Sequence, residues 1–176
     1  RIRGYKRRCK MEESVNQGNN TADSNAVDID IADVENLTVQ LKEVLNLKDT
    51  DPKQLSPLVL AYIGDSVYDL VIRTYLISLG NMPVNKINRH ACRLVKAQMQ
   101  SQMIGIIEPM FKGYEEAVYK RGRNAKSYTA AKNATITDYR RATGFEALMG
   151  YLYLSGKYSR MMELIKAALT GIGELK

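Results

Sequence analysis

After residue 52 the apolar residues of this chain recur at every third or fourth position, which is the spacing of one face of an α-helix. No segment of useful length alternates apolar and polar residues in the way a half-buried β-strand does, and no stretch repeats. The chain has 176 residues, of which 45% are hydrophobic, so it can build one domain with a substantial core but not two ordinary domains. The sequence therefore predicts an all-α fold.

Start and stop signals place the helices of this domain. Ser56 is a typical N-cap residue, Pro57 suits the first helical position, and the apolar periodicity that follows runs to Gly80. A basic segment at residues 114–126 and a loop around residues 127–135 interrupt the periodic pattern. The other predicted helices run from about Val84 to Glu108, from about Thr137 to Leu154 before Gly156, and from Tyr158 to Leu169.

The first 52 residues differ in composition from the rest. Residues 1–10 carry six Lys and Arg and no acid, and they precede Met11. We interpret them as upstream or non-native sequence, with an RNA-binding basic arm as the alternative. The following residues are rich in Asn, Asp, Ser and Ala, so we expect 1–32 to be a disordered leader. Residues 33–52 are predicted to form a short amphipathic helix and a linker, which leaves 53–176 as the folded domain.

The folded part is basic, with eighteen Lys and Arg against nine Asp and Glu over residues 52–176. This balance favours a polyanionic partner, because Lys and Arg that neutralise phosphates release condensed counterions. Cys9 and Cys92 lie far apart and His90 is the only histidine, which excludes a zinc site of Cys and His ligands and a histidine-based triad. The two widely separated cysteines fit a reducing, cytoplasmic setting. No apolar run reaches the length of a membrane span, so we expect no membrane contact.

Two carboxylates stand where apolar residues are expected. Asp65 shares a helical stripe with Ala61 and Ile72, and Glu146 shares one with Met149. A buried carboxylate must be protonated, hydrogen-bonded, paired with a base or bound to a cation. If the two stripes face each other, both acids lie in one site, whose oxygen ligands suit Mg²⁺ or Mn²⁺. The alternative for either acid alone is a rim position or a buried partner of an arginine.

The residues around the acids favour a close approach of two elements. Gly64 and Gly150 keep side-chain bulk low beside the acids and would let helices or a phosphate backbone come near. Asp69, one turn after Asp65, could support the site from behind its ligands, but we interpret it as a solvated edge residue. The hydroxyl of Thr143 is expected to bond back to a carbonyl of its own helix.

The segment Lys120-Arg-Gly-Arg-Asn-Ala-Lys-Ser127 brings four positive charges into eight residues. Its arginines suit phosphate contacts, and Gly122 lets a backbone approach. A run of charge is often only a solvated face. The basic residues of the second helix could extend the phosphate-binding surface, but we interpret them as an exposed helix face; they are Lys86, Arg89, Arg93 and Lys96. The predicted RNA-binding residues are Arg121, Arg123, Asn124, Lys126, Lys132, Arg140 and Arg141.

Three blocks of the sequence resemble the Mini-ribonuclease III family, which consists of the ribonuclease III catalytic domain without its double-stranded-RNA-binding domain. The blocks are LVLAYIGDSVYDLVIR (Leu58 to Arg73), KRGRNAKS (Lys120 to Ser127) and YRRATGFEALMGYLYL (Tyr139 to Leu154). The resemblance implies an all-helical homodimer that cleaves double-stranded RNA with Mg²⁺ and leaves 5′-phosphate and 3′-hydroxyl ends. It also implies maturation of 23S ribosomal RNA precursor ends, aided by a large-subunit ribosomal protein.

The family signatures assign roles residue by residue. The general ribonuclease III signature reads E-R-L-E-F-L-G-D-S; Asp65 matches its aspartate, while Leu58 and Ala61 replace its two glutamates. In the second signature, D-x-x-E-A-L, Glu146 matches the glutamate and Thr143 replaces the aspartate. Members of Mini-ribonuclease III resemble this chain in those losses. Catalytic and metal-binding roles are therefore predicted for Asp65 and Glu146, with weaker metal affinity than four carboxylates would give.

Two other functions remain open on the sequence. One is a catalytically inactive ribonuclease III fold that binds RNA or the ribosome, which metal-dependent cleavage would exclude. The other is a helical protein–protein adaptor with two salt-bridged acids, for which the KRGRNAKS segment has no evident purpose. Apolar residues that would supply a dimer face are Val67, Leu70, Val71, Leu148, Tyr151 and Leu152, although packing within one subunit explains them equally well.

Overall fold

The computed structural model describes residues 37–126 and 135–176. Every regular element in these ranges is helical, so the predicted all-α fold is confirmed. None of the described helices is both long and apolar enough to cross a membrane. The elements are α1 (Leu37–Val44), α2 (Pro57–Ser78), α3 (Val84–Leu94), α4 (Ala97–Ile107), α5 (Gly113–Arg123), α6 (Ile136–Leu154) and α7 (Tyr158–Gly171), with 3₁₀ turns at Pro52–Gln54 and Glu108–Met110.

The chain divides into two units between Asp49 and Thr50. In the first unit the structure describes α1 and the segment after it, where Lys42 Nζ lies 2.8 Å from Asp49 Oδ1. The leader predicted for residues 1–32 lies outside the described residues. The second unit, residues 50–176, holds α2 to α7 and the hydrophobic core.

The predicted start of α2 and the predicted ends of α2 and α6 are confirmed. Ser56 Oγ accepts a hydrogen bond from the Val59 amide at 3.3 Å and caps the start of α2, with Pro57 at the first helical position. Gly80, just beyond α2, has a φ of +122°, and Gly156, just beyond α6, has a φ of +66°. Because L side chains rarely adopt these conformations, both glycines are suited to end a helix.

The central helix is α6, which packs against α2, α4, α5 and α7. From Ala142 to Leu152 every residue of α6 is buried except Glu146, which is partly exposed. One contact across the core is an edge-to-face pair of Tyr68 and Phe145, whose ring centroids lie 4.9 Å apart. A side chain on this part of α6 is therefore held in a fixed position by the helices around it.

The prediction of a single long helix at residues 84–108 is wrong, because this segment forms two helices, α3 and α4. Lys96 adopts an extended backbone with a φ of −66° and a ψ of 143°. The Leu94 carbonyl, freed at the end of α3, accepts a hydrogen bond from the buried Tyr68 hydroxyl at 3.4 Å. The break lets α3 pack on α2 while α4 packs on α6 and α7, which one straight helix would not achieve.

The basic segment that had no assigned structure is mostly the helix α5. At its start Glu115 is completely buried and accepts two hydrogen bonds of 2.9 Å from Arg160 of α7. Burial alone raises the pKa of Glu115, but hydrogen bonds from Arg160 and the Lys112 amide outweigh it and hold the pKa below its usual value. This ion pair anchors α7 to the α5 end that lies away from the basic residues.

Candidate active site

The helices α2 and α6 cross with their backbones in contact, and two glycines make this possible. A Cβ atom added to Gly64 would collide with the carbonyl oxygen of Glu146, and one added to Gly150 would collide with the carbonyl oxygen of Leu60. The close helix approach expected at these glycines is therefore observed. No other residue fits at either position unless the two helices move apart.

This crossing brings the two predicted carboxylates together. Asp65 follows Gly64 on α2, and its negative charge acts on Glu146 of α6. Burial, and after it the charge of Asp65, raise the pKa of Glu146 from 4.5 to about 8. Without a cation, Glu146 therefore keeps its proton at neutral pH.

Asp65 does not lie in a buried apolar face, contrary to the stripe inferred from the sequence. Ala61 and Ile72 are buried, but Leu58 is 41% exposed, Tyr62 is 79% exposed, and Asp65 is exposed with them. The stripe was misleading because α2 carries apolar residues on its outer face as well as on its core face. Asp65 therefore lies at the rim of the site, open to solvent, while Glu146 is largely enclosed.

Two nearby oxygen-bearing side chains have partners on their own helices. Thr143 Oγ1 donates to the Tyr139 carbonyl at 3.0 Å, which is the expected bond back to the helix. Asp69 Oδ2 accepts a hydrogen bond from Arg73 Nε at 2.8 Å and is only partly exposed, so the prediction of a solvated edge was wrong. These bonds favour Asp65 and Glu146 as the carboxylates of the site.

A third polar residue, Gln100 of α4, was missed by the sequence analysis. Its side chain is completely buried and interacts with Glu146 by a hydrogen bond that lowers the Glu146 pKa, opposing burial and Asp65. Its Nε2 lies 3.4 Å from the Val95 carbonyl, whereas its Oε1 has no hydrogen-bond partner among the described residues. The sequence did mark Gln100 as a polar residue on an apolar helix face. It falls in helical register with Met103, Ile104 and Ile107, all of them buried.

The donor set fits a hard divalent cation that keeps most of its waters. No group of three or more His, Cys, Asp or Glu residues converges among the residues that the structure describes. Asp65 and Glu146 supply two carboxylates, and the orphaned Gln100 Oε1 is a further buried acceptor nearby. Mg²⁺ is commonly held by one or two carboxylates together with waters and substrate phosphates, so these residues suit it.

Four of the predicted RNA-binding residues lie together at a second site, apart from the carboxylate pair. Arg123 and Asn124 at the end of α5 and Arg140 and Arg141 at the start of α6 line an open pocket of about 450 Å³. We call this the arginine pocket. Its remaining lining residues are Glu108, Tyr119 and Thr137.

Two other predicted RNA-binding residues, Arg121 and Lys126, are not among the lining residues of this pocket. Arg121 donates from a terminal guanidinium nitrogen to the Leu55 carbonyl at 3.0 Å, so it holds the start of the domain. Lys126 is exposed beyond the end of α5, and Lys132 lies outside the described residues. On α3, Arg93 is an ion-pair partner of Glu174 at 2.7 Å rather than a free surface charge.

Comparison with known proteins agrees with this arrangement. Residues 58–157 match the ribonuclease III domain. The chain is 48% identical over 126 residues to the Mini-ribonuclease 3 of Enterococcus faecalis, covering 70% of this chain and 96% of that one. It is 51% identical over 120 residues to the Mini-ribonuclease 3 of Clostridium tetani, covering 68% and 80%.

A solved structure supports the fold assignment. The crystal structure of a protein from Fusobacterium nucleatum superposes with a TM-score of 0.63 at 28% identity, covering 70% of this chain and 98% of that one. The chain therefore belongs to the ribonuclease III family and, within it, to the Mini-ribonuclease III group. The family expected from the three sequence blocks is confirmed.

Proposed function

We propose that this chain is an endoribonuclease that cleaves double-stranded RNA, with Mg²⁺ held by Asp65 and Glu146. Membership of the ribonuclease III family supports a ribonuclease that acts on RNA. The observation that carries the proposal is the carboxylate pair at the α2–α6 crossing, in which the two acids that match the family signatures act on each other. Mn²⁺ should substitute for Mg²⁺, since it accepts the same oxygen ligands.

The two acids would contribute in different ways. Bound Mg²⁺ would supply an activated water for in-line attack on a phosphodiester and stabilise the leaving 3′ oxygen. Asp65, exposed at the rim, would offer a charged oxygen on the side open to substrate. Glu146 must first lose its proton, and the hydrogen bond from Gln100 favours that loss. The products would carry 5′-phosphate and 3′-hydroxyl ends.

The basic surface supports a duplex RNA substrate. Double-stranded RNA is recognised mostly through its A-form shape, its 2′-hydroxyls and its phosphates, which suits arginine contacts better than base readout. The resemblance to Mini-ribonuclease III leads us to propose a stem of the 23S ribosomal RNA precursor in the cytoplasm, presented by a large-subunit ribosomal protein. With no separate RNA-binding domain among the residues described, binding should depend steeply on salt.

A homodimer is part of this proposal. Of the apolar residues considered for a dimer face, Val67, Leu148, Tyr151 and Leu152 are buried within the subunit, so the alternative explanation, packing inside one subunit, accounts for them. The exposed large apolar residues of α2 are instead Leu58, Val59, Tyr62, Leu70 and Ile77. An apolar face of this kind supports association with a second copy, which would present two sites to one duplex.

Cleavage of a long perfect RNA duplex in Mg²⁺ or in EDTA, resolved on a denaturing gel, tests the proposal. The parent protein should cut only in Mg²⁺, and Asp65→Asn and Glu146→Gln should each slow cleavage by about a hundredfold or more. Asp69→Asn is the matched control, because it makes the same chemical change one turn further along α2. Near-native cleavage by Asp65→Asn would show that the catalytic assignment is wrong.

The second candidate function is a catalytically inactive module that binds RNA or the ribosome. It is favoured by Leu58, Ala61 and Thr143, which stand where the general signatures have acids. The same gel separates the two functions. Duplex binding without cleavage in Mg²⁺ or Mn²⁺ would support the inactive module and leave Asp65 and Glu146 as structural acids.

A further inference from the structure

We propose that the arginine pocket binds a phosphate monoester, such as the 5′-phosphate of an RNA strand or of a free nucleotide. The choice of an RNA end as one source rests on the proposed function, because the cleavage we propose leaves 5′-phosphate ends. The binding chemistry itself depends only on the residues that line the pocket. It is separate from the carboxylate pair, whose residues are not among the lining residues.

The charge of the pocket suits a dianion. Three guanidinium groups, from Arg123, Arg140 and Arg141, face one carboxylate, that of Glu108. A phosphate monoester carries roughly two negative charges near neutral pH, whereas a backbone phosphodiester carries one. Guanidinium groups bind phosphate oxygens through paired, geometrically matched N–H donors. Glu108, 4.0 Å from a terminal nitrogen of Arg141, offsets one of the three guanidinium charges and leaves the lining with a net charge of about +2.

Two buried polar atoms at the floor of the pocket, the Tyr119 hydroxyl and Arg141 Nε, lack a well-aligned hydrogen bond. Tyr119 is completely buried, and burial raises the pKa of its hydroxyl, whereas the charge of Arg141 and a hydrogen bond from the Arg141 side chain lower it. Neither the Tyr119 hydroxyl nor Arg141 Nε makes a hydrogen bond of ordinary geometry to a described residue. Because the contact between these two groups is poorly aligned, a phosphate oxygen in the pocket would give either of them a better hydrogen bond.

The walls of the pocket are already arranged to receive a charged group. Arg123 lies over the Tyr119 ring, 5.8 Å from its centroid, and its Nε donates to Asn124 Oδ1 at 3.3 Å. These contacts hold one guanidinium in place before a ligand arrives. The volume of about 450 Å³ exceeds the size of a phosphate and falls in the range of small-molecule sites, so a nucleoside attached to the phosphate also fits.

Calorimetric titration of the full chain in EDTA tests the proposal, with AMP, adenosine and inorganic phosphate as probes at low salt. AMP and inorganic phosphate should bind and adenosine should not. Arg140→Gln, at an exposed position, should weaken AMP binding by roughly tenfold or more, as expected for losing a charge-assisted contact. Lys166→Gln is the matched control, because it removes one charge from an exposed position of α7 outside the pocket.

Tyr119→Phe separates a binding role from a structural one. It removes only the buried hydroxyl, so AMP affinity should fall by several-fold while the melting temperature is unchanged or higher. Unchanged AMP affinity in this variant would show that the hydroxyl does not face the ligand. The whole proposal is overturned if AMP does not bind, if adenosine binds equally well, or if Lys166→Gln weakens AMP binding as much as Arg140→Gln.

Short single-stranded RNAs with a 5′-phosphate or a 5′-hydroxyl then identify the source of the phosphate. Tighter binding of the phosphorylated strand, lost in Arg140→Gln, assigns the pocket to RNA ends. Equal binding of the two strands, with AMP still bound, assigns it to free nucleotides. Asp65→Asn should bind AMP like the parent, so failure of the nuclease proposal and failure of this one are distinguishable.

Discussion

The α2–α6 crossing and the arginine pocket both lie against α6, but they are built in opposite ways. At the crossing, Gly64 and Gly150 bring two backbones into contact, and the position of the acids follows from the packing of the helices. In the pocket, long cationic side chains extend from the ends of α5 and α6 around an open space. Changes at the crossing should therefore affect the fold and the chemistry together, whereas changes at the pocket should affect binding alone.

The strongest perturbation should come from Gly64→Ala. The added methyl group would overlap the Glu146 carbonyl, so the helices must separate, at a cost of about 3 kcal/mol or more in the free energy of unfolding. Urea denaturation followed by circular dichroism measures this cost. Gly113→Ala is the control, since a Cβ there meets no atom within 4 Å. Equal stability of the two variants would mean that the backbones do not touch at Gly64.

A smaller effect, on rate rather than fold, is expected from Gln100→Leu. The change removes the hydrogen bond to Glu146, so cleavage near neutral pH should slow by roughly tenfold. The rate should also reach half its maximum at a higher pH, because the lost hydrogen bond lowered the pKa of Glu146. Rate against pH is the measurement, with the exposed Gln102→Leu as control. An unchanged pH profile would show that Gln100 does not influence the titration of Glu146.

The raised pKa of Glu146 predicts how the stability of the cation-free protein depends on pH. The folded state keeps a proton that the unfolded state loses, over the window between the unfolded value of 4.5 and the folded value of about 8. Stability should therefore fall as pH rises through this window, with a contribution of up to about 1.4 kcal/mol per pH unit, and level off above it.

Glu146→Gln isolates that contribution, since an amide does not titrate. Urea denaturation at several pH values in EDTA should give a shallower fall for the variant than for the parent. Mg²⁺ should reduce this pH-dependent loss of stability in the parent only. Parallel pH curves for the two proteins would show that Glu146 titrates at its ordinary value.

The weakest effect is expected from Lys126→Gln, outside both sites. Lys126 is exposed, so its loss should weaken duplex binding only a few-fold and reduce the salt slope by about one phosphate contact. Filter binding of a duplex in EDTA over a range of salt concentrations measures the slope. Lys166→Gln serves again as the control, and equal slopes for both variants would exclude a phosphate contact at Lys126.

Much of the fold could be predicted because its signals are local. Ser56, Pro57 and Gly80 mark the ends of α2 in the sequence itself. The break between α3 and α4 gives no such signal, because Val95, Lys96 and Ala97 all suit a helix interior. It results from packing against three different helices, which is information that lies far away in the chain.

The candidate site was predictable only in part for the same reason. The sequence marks Asp65 and Glu146 as unusual, but their convergence depends on how α2 crosses α6. Gln100 lies on a third helix, and its role becomes visible only when α4 is placed beside Glu146. In the pocket, Arg123 and Arg140 come together from helix ends separated along the chain, whereas Arg121, from the same basic run, faces elsewhere.

The proposed nuclease activity depends above all on one feature: Asp65 and Glu146 act as a pair that holds a cation. Carbon-detected NMR titration of the Glu146 carboxyl group, in the parent and in Asp65→Asn, with and without Mg²⁺, measures this pairing. The pKa should lie near 8 in the cation-free parent and should fall both in Asp65→Asn and on addition of Mg²⁺. An ordinary pKa near 4.5 that neither the substitution nor Mg²⁺ changes would show that the two acids do not form such a pair.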